Sequence, residues 1–401
     1  MWPCACPCRL AETDAKLEER QLQVEQGHLQ IQQEIGQLRE LIETSSEAWN
    51  GAVTAVPCKP CKPCKQKGRR GILYGQAARG TMPTLHIICE RDVGLFSLIQ
   101  QVIANIPWAF QERRVPVAYF RERTCYWTPK EYRDRDTVWE YYFEPIVPEH
   151  PASSVSPQIR GVISLHYPSP FEVGYFAHEH AFVSNHFGDH PDLSGKTLFI
   201  PYLLDDPDED LRRQASTIID KFVRPRGYVQ EKVERFYRDQ MKGRRVIGVH
   251  VRGTDAVSAQ EIRWHRQGSL RLPRYREEIE RLLQGEREAM IFAATDAQSS
   301  VDYLKDAFES RVIAYDSIRH QGGEAAGKGP TGWIMPDYIA GDRDRAARNG
   351  EEAVIEYLLL ARCDHLVHNG SSLARTVLLK VPEMPHTNTH GGHPGGESDS
   401  R

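Results

Sequence analysis

Apolar positions along this chain follow different periods in different stretches. Over residues 10–44, Leu10, Leu17, Val24, Ile31 and Leu38 recur every seven residues, joined late by Ile35 and Ile42, in a Gln- and Glu-rich segment without Pro. That spacing predicts an amphipathic helix that self-associates as a coiled coil. Asp14, Gln21 and His28 interrupt the second line of the seam, and a solvated single helix is the bland alternative. Residues 45–80 lose all periodicity and contain CKPCKPCKQKGRRG, which reads as a linker. From residue 81 onward, short apolar runs alternate with amphipathic stretches.

Thr84–Cys89 reads as a strand, followed by a turn at Gly94 and a helix through Ile99, Val102 and Ile103. Val115–Phe120 is a second strand, and the aromatic run Asp136–Phe143 reads as core. The acidic break at Asp205–Asp210 precedes helical segments at 211–222 and 228–242. The second half alternates cleanly: strand 246–251, helix 273–284, strand 289–296, helix 299–310 and a short strand at 311–315. A Gly-rich loop at 319–332 leads to helix 351–363, strand 364–368 and helix 373–379. Such alternation predicts right-handed crossovers and parallel, doubly wound sheets. The expected layout is a Cys-rich N-terminus (1–9), a coiled-coil helix (10–44), a Cys/Pro/Lys linker (45–80), an N-terminal lobe (81–240), a C-terminal lobe (241–382) and a disordered tail (383–401).

With 401 residues, 26% of them charged and 40% hydrophobic, the composition is that of an ordinary globular protein. A formal net charge of −4 gives no basic stripe for nucleic acid. No apolar run is long enough to span a bilayer, and the N-terminus lacks the apolar core of a secretory signal. The expectation is a cytoplasmic protein. Six of the nine cysteines cluster as Cys4, Cys6, Cys8 and Cys58, Cys61, Cys64, leaving Cys89, Cys125 and Cys363 in the body. The globular part therefore reads as reduced. Cys58, Cys61 and Cys64 resemble half of a metal or cluster site, but the Cys-Lys-Pro repeat is also low complexity, and interchain disulfides are a comparable reading. His178, His180, His186 and His190 show no HExxH spacing and read as ordinary polar or core histidines.

The strand VIGVHVRGTD at 246–255 carries the sharpest signal. A buried strand that ends in His250 and Arg252 delivers a fixed cation to its carboxyl tip, where ligands of open α/β sheets bind. An ion pair between Arg252 and Asp255 is the structural alternative. Thr295 and Asp296 end the next strand. Asn369-Gly370-Ser371-Ser372 opens the last helix, where unpaired N–H groups favour an anion. Ser371 is equally a simple helix cap. Gly94, at a strand-to-helix turn, lets backbone approach a phosphate. No GxxxxGK[ST] and no GxGxxG after the first strand is present, which disfavours a P-loop NTPase and a typical dehydrogenase.

VIGVHVRGTD, FAATDA and VIEYLLLARCDHLVHNGSSLAR, in that order and spacing, resemble the three motifs of the α1,6-/protein O-fucosyltransferase superfamily, nearest the α1,6 and nodulation type. The resemblance covers residues 244–380. It implies two Rossmann-like lobes of GT-B type, an inverting transfer from GDP-fucose to a glycan or protein acceptor, and no required metal or other cofactor. It further implies that Arg252 neutralises the departing diphosphate and that His250 lies near the donor. Asp296 matches the first acid of the second motif. Glu356 stands where the family has an Asp facing guanine, Ser371 and Ser372 match diphosphate-side serines, and Gly94 matches a nucleotide-side loop. Asp255 and Glu261 are candidates for the base, Asp255 also for a loop brace.

Two departures stand out. Gly253 follows Arg252 where the α1,6 type has a second arginine, and Ala297 stands where it has a second Asp. The expected function is thus a fucosyltransferase-like enzyme made oligomeric by residues 10–44. The alternatives are a non-catalytic scaffold on a degraded sugar-nucleotide fold, and a redox or metal protein resting on Cys58, Cys61 and Cys64.

Overall fold

The structure, a computed structural model, describes residues 84–389 apart from 92, 168–172, 179, 187–195, 199, 201–205, 253–271, 322–325, 329–333, 337, 338 and 340. The heptad segment, both Cys clusters, His190, Gly253, Asp255 and Glu261 lie outside the described residues.

The first sheet takes its strands from the first half of this region: β1 (Leu85–Cys89), β2 (Val115–Tyr119), β3 (Tyr175–His178) and β4 (Ala181–Ser184). Their order is β2-β1-β4-β3, with β1 parallel to both neighbours and β3 antiparallel at the edge. Helices α1 (Leu95–Gln111), α2 (Val138–Tyr142) and α3 (Pro157–His166) lie between these strands in sequence. Then come α4 (Glu209–Phe222), capped by Asp208 on the Leu211 N–H, and α5 (Gly227–Phe236).

The second sheet is wholly parallel. Its strands are β5 (Val246–Val251), β6 (Met290–Thr295), β7 (Val312–Ile313), β10 (His365–His368) and β11 (His386–Asn388). Between them run α6 (Leu272–Gly285), α7 (Gln298–Phe308), α8 (Arg343–Leu360) and α9 (Ser372–Lys380), plus the small antiparallel pair β8 (Ala326–Lys328) and β9 (Ile334–Pro336). The order β11-β10-β5-β6-β7 means that the chain winds outward from β5 to β7 and then returns to the other side at β10. The β5/β10 boundary is therefore the topological switch point, where a crevice opens beyond the strand tips.

Side-chain alternation along β5 and β6 sorts their residues onto two faces. Ile247, Val249, Val251, Ile291 and Ala293 pack against Tyr275 and Ile279 of α6 and Leu304 and Phe308 of α7. Val246, Phe292 and Ala294 turn the other way, into a core shared with Ile88 of β1, Ala118 of β2, Ile99 of α1, Ile355 of α8 and Leu378 of α9. His250 has the parity of Val246, so it too faces this shared core.

Three expectations need correction. The segment 319–332 is not simply a loop, because β8 falls within it and pairs with β9. The helix expected at 351 begins at Arg343, with Asp342 accepting from the Arg345 N–H at 2.9 Å. The tail expected to be disordered from 383 contributes β11, which pairs in parallel with β10 through His386 to Asn388. A three-residue edge strand gains its order from that backbone ladder and from partners distant in sequence, so no local pattern announces it.

Candidate functional site

The site is built on the switch point. His250 leaves β5 on its core-facing side and is 6% exposed. Its Nδ1 lies 3.1 Å from Ser371 Oγ, across the gap between β5 and β10. Ser371 is the N-cap of α9, accepting from the Ala374 N–H at 3.2 Å. Ser371 Oγ keeps a proton and a second lone pair, so it can meet either neutral tautomer of the ring at Nδ1. Burial drives the His250 pKa down to about 4, with Arg252 adding to the depression and Asp296 opposing it. The ring is therefore neutral at physiological pH.

Arg252 and Asp296, partly exposed at the ends of β5 and β6, stand within electrostatic range of that ring. Gly370, at φ +76, makes the left-handed turn that brings Ser371 to the helix start, a conformation that favours glycine. The cap, the unpaired N–H groups of the first helical turn and the Arg252 guanidinium together provide the elements of an anion site.

The first sheet supplies the opposite side. Gly94 caps α1 at φ −59, and a Cβ placed there would meet no atom within 4 Å. The fold itself therefore does not demand glycine at this position, and the space beside it is open. Two turns of α1 grip α9: Ser97 Oγ lies 3.0 Å from Ser372 Oγ, and Gln100 Nε2 donates to Ser372 O at 2.9 Å and to Thr376 Oγ1 at 3.1 Å. Arg375, 3% exposed, donates to Ser372 Oγ at 3.3 Å.

Sequence reasoning missed two residues of this neighbourhood. Tyr126, 9% exposed, accepts from the Leu95 N–H at the start of α1 and lies within electrostatic range of Arg252 and Asp296. Arg319, 7% exposed, donates to the carbonyls of Thr295 (3.2 Å), Tyr315 (2.6 Å) and Ser317 (3.3 Å), bracing the β6 tip. Its NH2 also reaches Glu356 Oε1 at 3.1 Å, which accepts from Ser317 Oγ at 2.7 Å as well. Burial raises Glu356 to about 7, with Arg319 and Ser317 pulling it down. Ala297 is buried at the start of α7, bridged to His320, with its N–H on Thr295 Oγ1 at 3.2 Å. A carboxylate in its place would be desolvated.

Among the described residues, one trio of ligand-type side chains lies within 4.8 Å of mutual reach: Asp206, His368 and His386. His178 is on β3 and His180 in the following turn, outside any such group.

No family model and no curated protein sequence matches the chain. Among solved structures it is similar to the selenomethionine form of the fucosyltransferase NodZ from Bradyrhizobium: TM-score 0.45, 16% identity, covering 78% of this chain and 98% of that one. NodZ α-1,6-fucosyltransferase co-crystallized with GDP gives 0.44 and 15%, over 75% and 94% of the two chains. POFUT1 in complex with GDP-fucose gives 0.44 and 13%, over 77% and 98%.

Proposed function

We propose that this protein is an inverting, metal-independent glycosyltransferase that moves fucose from GDP-fucose to a glycan or protein acceptor. The observation that carries the reading is the His250–Ser371 hydrogen bond, which ties the β5 tip to the N-terminus of α9 at the switch point, with Arg252 within electrostatic range of the same ring. Transfer breaks the bond between the anomeric carbon and the diphosphate oxygen, and the electron pair leaves with the diphosphate. A fixed guanidinium and a helix N-terminus aimed there stabilise the transition state more than the ground state. Neutral His250 suits this role, because it adds no second charge beside Arg252. The open space at Gly94 fits close backbone approach by the nucleotide. Glu356, with Oε1 engaged by Arg319 and Ser317, meets guanine through Oε2 in this reading.

The acceptor oxygen attacks the anomeric carbon from the opposite face, and its proton passes to Asp255, Glu261 or the leaving phosphate. The N-terminal lobe, residues 81–240, would face the acceptor and residues 241–382 the donor. Residues 10–44 would make the protein oligomeric, in the cytoplasm.

Thermal protection by GDP, and its loss in Arg252→Ala, tests the donor site. Arg252→Ala should also slow turnover by about 10²–10³-fold. A release assay across GDP-fucose, GDP-mannose and UDP-sugars assigns the donor. Failure to bind any nucleoside diphosphate, or turnover of UDP-sugars alone, refutes the proposal.

A further inference from the structure

Behind the anion turn lies a second histidine with a defined job. His368 is the last residue of β10, wholly buried, three positions before Ser371. Its Nδ1 accepts the Gly370 N–H at 3.0 Å. A neutral imidazole that accepts at Nδ1 must carry its proton on Nε2. Burial keeps this ring neutral, lowering its pKa to about 3; Asp206 opposes, while His386, His250 and Arg212 add to the depression. Nε2 is itself buried without a hydrogen-bond partner and faces Asp206 Oδ1 at 3.5 Å. Asp206 is in turn positioned by Asn388 of β11, whose Nδ2 donates to Oδ1 at 3.1 Å.

Asp206, His368 and His386 are close enough together to suggest a metal centre. The protonation pattern argues otherwise. His368 Nε2, the atom that would bind the ion, holds the ring's proton. His386 Nδ1 lies 3.2 Å from the Met384 carbonyl, and its Nε2 lies between the Arg212 guanidinium at 3.0 Å and Asp206 Oδ2 at 3.3 Å. A divalent ion there would have to displace a proton and sit beside a buried cation.

We propose that Asp206 and His368 are a positioning pair for the anion turn: the negative charge of the carboxylate, 3.5 Å from Nε2, favours the Nε2–H tautomer, and Nδ1 thereby fixes Gly370 and the start of α9. The pair acts through Gly370 on Ser371, and through Ser371 on His250, without touching a ligand. Its effect on nucleotide binding rests on the function proposed above. The tautomer and the order of the turn do not.

Imidazole ¹⁵N NMR of the full chain, with amide hydrogen exchange at Gly370 and GDP titration, tests it. The expected result is a His368 with bare Nδ1 and protonated Nε2 from about pH 5 to 8. Asp206→Ala should mix the tautomers, speed exchange at Gly370 and weaken GDP about tenfold. Asp206→Asn, which keeps an oxygen dipole facing Nε2–H but no charge, should restore part of all three. If the parent protein does not bind GDP, the functional reading falls while tautomer and exchange still judge the pair. A proton on Nδ1, unchanged Gly370 exchange in a folded Asp206→Ala, or stoichiometric Zn²⁺ with both histidine signals shifted would overturn it.

Discussion

At the scale of single residues, the informative ones are polar groups placed where the strand pattern calls for apolar ones. His250 and Arg252 were legible for that reason, as was Ser371 at the start of an apolar helix. Tyr126 and Arg319 were not, because both sit in connections without periodicity and meet partners far away in sequence. Glu90, at the tip of β1, was equally silent. It is 4% exposed, accepts from the Arg123 N–H at 3.4 Å through Oε1, and has Oε2 buried without a hydrogen bond. Burial raises its pKa from 4.5 to about 7, backbone hydrogen bonds at Arg121 and Arg123 only partly offsetting this. The folded state thus holds this proton more tightly than the unfolded chain. Stability from it is complete below about pH 4.5 and is lost as pH rises through about 7, up to about 3 kcal/mol in all. Glu90→Gln should therefore stabilise the protein at pH 8 and flatten the rise in stability seen between pH 8 and 5. Urea unfolding at both pH values checks this, and an unchanged slope would refute it.

At the scale of elements, the strands and most helices were legible, since β-branched runs and 3.6-residue periodicity are local properties. The start of α8 was not. Asn349 and Gly350 break its pattern, and the segment before them is rich in Arg and Asp. Gly350 proves to be a packing requirement. A Cβ there would run into Tyr142 Oη and come within 2.9 Å of Tyr142 Cζ and 3.1 Å of Tyr126 Cδ1. Tyr142 Oη donates to Ala347 O at 2.6 Å, so the ring is not free to retreat. Replacing a helical glycine by alanine ordinarily gains up to about 1 kcal/mol. Here overpacking outweighs that, and Gly350→Ala should cost about 1–3 kcal/mol. Adding Tyr142→Phe should return part of the loss, which a double-mutant cycle in denaturant would show. Additive losses would contradict this account.

At the scale of the whole described region, the links between the sheets were invisible to sequence reading. Glu351 of α8, 2% exposed, is held by Tyr132 Oη at 2.7 Å, Arg133 Nε at 3.3 Å and Lys232 Nζ of α5. Burial raises its pKa, but the hydrogen bonds from Lys232 and Tyr132 prevail and leave it below the ordinary value. Its contribution is therefore present above the usual carboxylate range and fades as pH falls. Glu351→Gln should cost about 1–3 kcal/mol near neutrality, less than a fully buried pair because Lys232 and Arg133 are partly exposed, and the gap to the parent should close towards pH 3. Thermal melts across that range would show it, and a loss independent of pH would not fit.

The core shared by Ile88, Ala118, Phe292 and Leu366 extends the same point. Each sheet lends the other its waterproofing, so the residue-240 boundary separates strands in sequence but not side chains in space. Expressed apart, 82–240 and 241–389 would each expose a wet apolar wall and aggregate, and only co-expression could restore them. The fold would then evolve as one unit: the crevice beyond the strand tips could be reshaped in place, but not transplanted with half of the chain.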